Sequence, residues 1–223
     1  MNARHEVVAM SARSRRIHRS IRYFVLFLGK LLFRLEIRGR DRLPASGPYI
    51  VAPVHRSNID AFIAASAVPP RTVIRTMAKD SLWKAAWFGR FLERMGAFPV
   101  DRERPDRGAL RNCEEALAHG EPLLMFPEGR RRSGAVVEEI LEGPAWLACR
   151  ARVPIVPVGI SGTDLAMPIG SKFLRPAKVV IQIGEPLLPD VELTGRVPHK
   201  EMLALTDRLR DAIQLSYDEA RSS

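Results

Sequence analysis

The chain has 223 residues, 46% apolar and 27% charged, a globular balance that excludes a disordered or collagen-like chain. Lys and Arg outnumber Asp and Glu by 35 to 25, for a net charge of +10. The two cysteines, Cys113 and Cys149, form no C-x-x-C pair, which argues against a disulfide framework and a cysteine zinc site and fits a reducing compartment.

Residues 1–22 carry six arginines (Arg4, Arg13, Arg15, Arg16, Arg19 and Arg22) against one acid, Glu6. Such an arm suits an anionic partner, whether phosphate-bearing lipid, nucleic acid or acidic protein; a solvated tail has the same composition. The apolar run over 23–29 is broken by Lys30 and resumes over 31–33, far short of the roughly 20 residues that a spanning helix needs. Lys30, Arg34, Glu36 and Arg38 stand where a signal peptide would place its small-residue cleavage site, which argues against one. Helical spacing puts Phe24, Leu28, Leu31 and Leu35 on one face, with Arg22 and Lys30 elsewhere. That is the pattern of an interfacial helix, its apolar face in the acyl boundary and its cations on head groups. A core-packing helix shares the periodicity.

The body alternates strands and helices. Residues 49–54 read as a strand, 59–67 as a helix stopped by Pro69-Pro70, and 72–77 as a strand. Residues 81–95 read as a helix with Ser81 as N-cap. There Trp83, Trp87, Phe91 and Met95, spaced by four, drift along one side as either a membrane stripe or a core stripe. A short strand follows over 97–100. Then come a helix over 106–119 ended by Gly120, a buried strand over 122–126 and a helix over 143–152. Strands over 155–160 and 179–183 precede a closing amphipathic helix over 202–217. The pattern predicts a single α/β domain over 38–223, its mostly parallel or mixed sheet flanked by helices. A basic, amphipathic, membrane-associating segment over 1–37 precedes it.

Four clusters sit at predicted strand ends, where open α/β sheets gather their chemistry. The first is His55-Arg56-Ser57-Asn58-Ile59-Asp60. A turn of this length can fold the Asp60 carboxylate onto one imidazole nitrogen of His55 and leave the other as a general base. Alternatively, Ser57-x-x-Asp60 is a capping-box-like helix start. The second cluster, residues 96–102, delivers Arg102 to a loop, where it can fork a phosphate or pair with Asp101 or Glu103. In the third, residues 126–134, a buried strand runs into Glu128, Gly129 and the consecutive Arg130, Arg131 and Arg132. Like charges so close favour a bound anion, with a solvated basic loop as the alternative. The fourth, residues 153–160, has no titratable group. Its Pro154 and Pro157 point to an edge strand or to the irregular wall of an apolar groove suited to an acyl chain.

Together and in this order, the clusters resemble the glycerolipid acyltransferases, the lysophosphatidic acid (1-acylglycerol-3-phosphate) acyltransferases and their relatives, over roughly residues 38–190. His55 and Asp60, with Ser57, match the family's H-x-x-x-x-D block, and residues 96–102 match its arginine-bearing block. Phe126, Pro127, Glu128, Gly129 and Arg131 match F-P-E-G-x-R, and residues 153–157 match the proline block. Val54 stands where the family usually has Asn, Arg130 where it has Thr, and Leu141 where it commonly has Lys; these departures bear on the acceptor more than on the reaction class.

The resemblance implies an acyltransferase that uses a His55–Asp60 general base to move an acyl group from acyl-CoA or an acyl carrier protein to a lysophospholipid hydroxyl, foremost 1-acylglycerol-3-phosphate giving phosphatidic acid, with another lysolipid or glycerol-3-phosphate as the alternative acceptor. Arg102 and Arg131 would hold the acceptor phosphate, with Arg130 and Ser57 beside them. Glu128 and Gly129 would shape the pocket, Glu128 orienting the acceptor or an arginine. Pro154 and Pro157 would line the acyl groove. No cofactor beyond the thioester co-substrate is expected. No metal is expected either, since His5, His18, His55, His119 and His199 are scattered. The expected partner is an anionic membrane surface at its cytoplasmic face, bound peripherally, and not nucleic acid, for which no recognition signature appears. A thioester hydrolase and a noncatalytic membrane scaffold are the rival readings.

Overall fold

In the computed structural model, residues 10–101, 106–190 and 196–222 are described. The apolar runs become the strands of one seven-stranded sheet: β1 (Glu36–Arg38), β2 (Ile50–Pro53), β3 (Arg75–Lys79), β4 (Ala97–Val100), β5 (Leu123–Leu124), β6 (Ile155–Ser161) and β7 (Val180–Ile183). Their order is β1-β7-β6-β2-β5-β3-β4, and every neighbouring pair is parallel except β6–β7. The central strands β2 and β5 are wholly buried, which explains why they read as continuous apolar runs without alternation.

The helices are α1 (Ala12–Phe33), α2 (Asp60–Ala65), α3 (Ala86–Arg94), α4 (Arg107–Ala118), α5 (Gly143–Ala151), α6 (Thr163–Ala166) and α7 (His199–Arg221). Helix α7 packs closely on β6. A Cβ on Gly159 would stand 2.1 Å from the Ser216 carbonyl oxygen, so only glycine admits the helix there.

Parallel pairing gives the sheet a polarity. The carboxyl ends of β2, β3, β4, β5 and β6 share one edge. Because β7 runs against β6 and β1 runs with β7, the end of α1 reaches the same edge: Val179 N–H donates to the Phe33 carbonyl at 2.9 Å. Helix α1 is inverted relative to an ordinary surface helix. His18, Arg22, Gly29 and Phe33 face inward, whereas Phe24, Phe27, Leu31 and Leu32 face out.

Several expectations change. Arg22 is no free cation of the basic arm. It is buried and donates to the carbonyls of Ala65, Val68 and Thr72 at the end of α2, and burial lowers its pKa to about 10. Leu35 lies beyond α1 and is buried, not on the exposed face. The expected boundary between residues 37 and 38 runs through β1, so the chain before residue 38 contributes to the sheet.

The helix expected over 81–95 breaks at Ala85, whose backbone is extended, and a 3-10 turn over Asp80–Lys84 precedes it. Trp83 folds back against Gly89 and donates its indole N–H to Glu93, so Trp83 and Trp87 share no stripe. Finally, β6 is no edge strand. It lies between β7 and β2, and Pro157 sits where the β6–β7 ladder is interrupted, its carbonyl accepting from Gly184 at 2.9 Å.

Candidate active site

Strand β2 carries the chain to the shared edge, where Val54 is fully buried and His55 opens the turn into α2. Asp60, the first residue of α2, is fully buried. Its Oδ2 accepts from His55 Nδ1 at 3.0 Å, from Ser57 N–H at 2.6 Å and from Arg56 N–H. Ser57 does not cap α2, whose N-cap is Ile59 with no side-chain cap bond; instead the turn's N–H groups and the imidazole converge on a single Asp60 oxygen. A carboxylate acceptor on Nδ1 keeps the proton there and leaves the Nε2 lone pair to act as a base. Nε2 has no protein hydrogen-bond partner among the described residues, and the His55 side chain retains 11% exposure. Phe126 stacks on the ring at 4.1 Å and 26°, fixing its plane.

The loop after β5 grips His55 from both sides. His55 N–H donates to Glu128 Oε1 at 2.8 Å, and Arg132 N–H donates to the His55 carbonyl at 2.9 Å. Glu128 is buried, and Arg56 Nη1 donates to both its oxygens at 2.8 and 2.7 Å. Arg56 also donates from Nε to the Gly134 carbonyl and from Nη2 to the Val136 carbonyl, and it lies 5.1 Å from the centroid of the Tyr217 ring on α7. The turn at Gly129 takes φ +67°, a left-handed conformation that favours glycine directly after the carboxylate.

Arg130 and Arg131 are exposed at this edge, with no ion-pair partner among the described residues, while Arg132 pairs with Glu138 at 2.8 Å. Among the described residues, no cluster of three or more His, Cys, Asp or Glu side chains is placed to hold a metal.

The expected residues fall into three groups. His55, Asp60, Glu128, Gly129, Arg130 and Arg131 meet at one edge. Ser57 is there too, but it is fully buried and its hydroxyl donates to the Met167 carbonyl at 2.7 Å, so it anchors a loop. Arg102 lies outside the described residues; β4 ends at Val100 on the same edge. Pro154 and Pro157 do not join the site. Pro154 precedes β6, and Pro157 pairs with Ala52, three residues before His55. Arg56 and Tyr217 also shape the site, without a sequence pattern that marks them. The only signal for Arg56 was its place between His55 and Ser57, and Tyr217 read as the end of an amphipathic stripe.

A family model described as Acyltransferase matches residues 34–161. The chain is 30% identical over 181 residues to a 1-acyl-sn-glycerol-3-phosphate acyltransferase of Bacillus subtilis, covering 81% of this chain and 86% of that one. It is 28% identical to the alpha enzyme of that name from Mus musculus, covering 83% of this chain and 64% of the mouse protein, slightly under two thirds of its length. The crystal structure of the 1-acyl-sn-glycerophosphate (LPA) acyltransferase from Thermotoga maritima matches with TM-score 0.73 at 25% identity, covering 96% of this chain and 85% of that one.

Proposed function

The chain belongs to the acyltransferase family, and from that premise we propose that it moves a fatty acyl group from a thioester to the free hydroxyl of 1-acylglycerol-3-phosphate, giving phosphatidic acid. The observation that carries the reading is the His55–Asp60 pair at the sheet edge where Arg130 and Arg131 stand exposed. His55 Nε2 takes the acceptor hydroxyl's proton as that oxygen attacks the thioester carbonyl. The tetrahedral adduct then collapses, the C–S bond breaks, and the imidazolium returns the proton to the departing thiolate. Asp60 holds the ring throughout. Arg130 and Arg131, with Arg102, attract and orient the acceptor phosphate, for which arginine forks are suited. The donor is acyl-CoA or an acyl carrier protein, both thioesters.

A lipid acceptor explains the exposed apolar side chains Phe24, Phe27 and Leu31 on α1 and Trp87 on α3. Among the described residues, no helix is long and apolar enough to cross a membrane. The proposed association is peripheral, the apolar faces in the interface and the cations on anionic head groups, at the cytoplasmic face that the family resemblance implies.

The test incubates purified protein with acyl-CoA or an acyl carrier protein and a panel of lysophospholipids, following free thiol and lipid product by mass spectrometry. Phosphatidic acid should form, and His55→Ala should lower the rate by roughly 10²- to 10⁴-fold, the usual worth of a positioned base. Thiol release without acylated lipid would favour a hydrolase and overturn the reading.

A further inference from the structure

The segment between β6 and β7, residues 162–178, has no part in the chemistry above, yet it displays apolar side chains outward. Phe173 is 79% exposed, and Leu165, Ile169 and Leu174 each exceed half exposure. The display is built. Arg175 N–H donates to the Ala166 carbonyl at 2.8 Å, Ser171 N–H to the Pro168 carbonyl at 2.9 Å, and Phe173 N–H to Ser171 Oγ at 3.1 Å. These hydrogen bonds hold the segment in a shape that shows its apolar residues to solvent, a pattern associated with an interaction surface.

Three further observations identify the partner. The segment's exposed charges are mainly positive: Lys172, Arg175 and Lys178 against Asp164, with Lys178 paired to Glu36 of β1 at 3.4 Å. It hangs on the catalytic turn through the Ser57–Met167 hydrogen bond. Its far end is tied to the end of α1 through Val179 and Phe33, one turn from the exposed Leu31 and Leu32. Apolar tips ringed by cations and continuous with the outward face of α1 fit an anionic lipid surface.

We propose that residues 162–178 form a wedge that inserts Leu165, Ile169, Phe173 and Leu174 into an anionic bilayer beside the His55 site. This rests on the reading that the acceptor is a membrane lipid. The wedge seats the active-site edge against the bilayer from the side opposite α3, so that a lysolipid reaches His55 without leaving the interface.

The test places a polarity-sensitive fluorophore on Phe173→Cys. The native Cys113 and Cys149 are fully buried, so the unmutated protein serves as the labelling control. Vesicles of phosphatidylglycerol should shift the emission to the blue, and lipids brominated near the carbonyl end of the chain should quench it; phosphatidylcholine vesicles should do neither. Unchanged emission while the protein co-sediments with the phosphatidylglycerol vesicles overturns the wedge and leaves binding through α1 standing. So does a shift produced by an acidic acyl carrier protein and not by vesicles.

A second arm compares acceptors. Phe173→Ser with Leu174→Ser should cut turnover of vesicle-embedded long-chain lysophosphatidate by about tenfold or more. Turnover of a monomeric short-chain lysophosphatidate should stay within about twofold. Equal loss on both acceptors overturns the proposal. An unmutated protein inactive on both sinks the acyltransferase reading instead, and the fluorescence arm, which needs no turnover, still decides the wedge.

Discussion

Arg56 is the residue on which the site's geometry turns. It joins the end of β2, the loop over 128–137 and the ring of Tyr217, and Glu128 is buried with it. Truncating one member of a buried ion pair leaves the other charged and unpaired, at about 3–5 kcal/mol. Arg56→Ala should therefore lower stability by roughly that amount, and Arg56→Ala with Glu128→Ala together by clearly less than the sum of the two, read by urea denaturation. Asp60→Asn should lower turnover by roughly 10²- to 10⁴-fold, because an amide no longer fixes the imidazole tautomer. His18 carries a pH dependence of its own. It is buried on α1, donates Nδ1–H to the Arg94 carbonyl, and has its pKa lowered by burial and then by the Arg22 charge, with Arg75 adding to it. The unfolded chain thus binds a proton near pH 6.5 that the folded chain refuses, and stability falls as pH drops below about 6.5. His18→Asn keeps a donor and cannot titrate. The urea midpoint of the unmutated protein should fall more steeply on acidification than that of the variant.

At the scale of elements, helix α1 turns amphipathicity inside out. Its inward Arg22 guanidinium and His18 Nδ1 donate to carbonyls at the ends of α2 and α3, while Phe24, Phe27, Leu31 and Leu32 face away from the core. Replacing Phe24 and Phe27 with serine should weaken co-sedimentation with anionic vesicles and move stability by no more than about 0.5 kcal/mol, since neither side chain packs in the core. Gly159 is the opposite case. A methyl group there meets the Ser216 backbone at 2.1 Å, so Gly159→Ala should destabilise by about 1–3 kcal/mol and loosen Tyr217 from Arg56, lowering turnover as well. Two elements were not read from the sequence. Strand β1 has three residues, two of them charged, and takes its strand geometry from pairing with β7; α6 is a single turn. Neither is long enough to show a period. The break at Ala85 escaped for another reason: it depends on Trp83 packing against Gly89, a contact that spacing alone does not encode.

Across the whole molecule, many of the exposed large apolar side chains follow one edge of the sheet, whereas Leu188, Leu203 and Leu215 lie after β7 or on α7. Leu82, Trp87, Val136, Leu141, Leu165, Ile169, Phe173 and Leu174 all lie in segments leaving the carboxyl ends of β3, β5 or β6, and α1 ends beside them. The His55 imidazole opens on that same edge. A greasy, cationic edge beside it suits the proposed acceptor, a lipid that stays in a bilayer. On the proposed membrane reading, the net charge of +10 gives binding an electrostatic part, so affinity for phosphatidylglycerol vesicles should fall steadily as salt rises from about 0.05 to about 0.5 M. Binding that ignores salt would show the apolar contacts acting alone.

The order of strands and helices, the pairing of His55 with Asp60 and the cationic run after Phe126 were legible in the sequence, because each depends on residues a few positions apart. Local spacing fixes a turn, a helix face or a buried run before any tertiary contact forms. What Glu128, Ser57 and Arg22 do was decided only by the fold. Their partners, Arg56, the Met167 carbonyl and the end of α2, lie between 43 and 110 residues away in the chain. A side chain's chemistry is written in its own residue type, but whether it meets solvent, substrate or a buried partner depends on which distant segment the sheet brings alongside it.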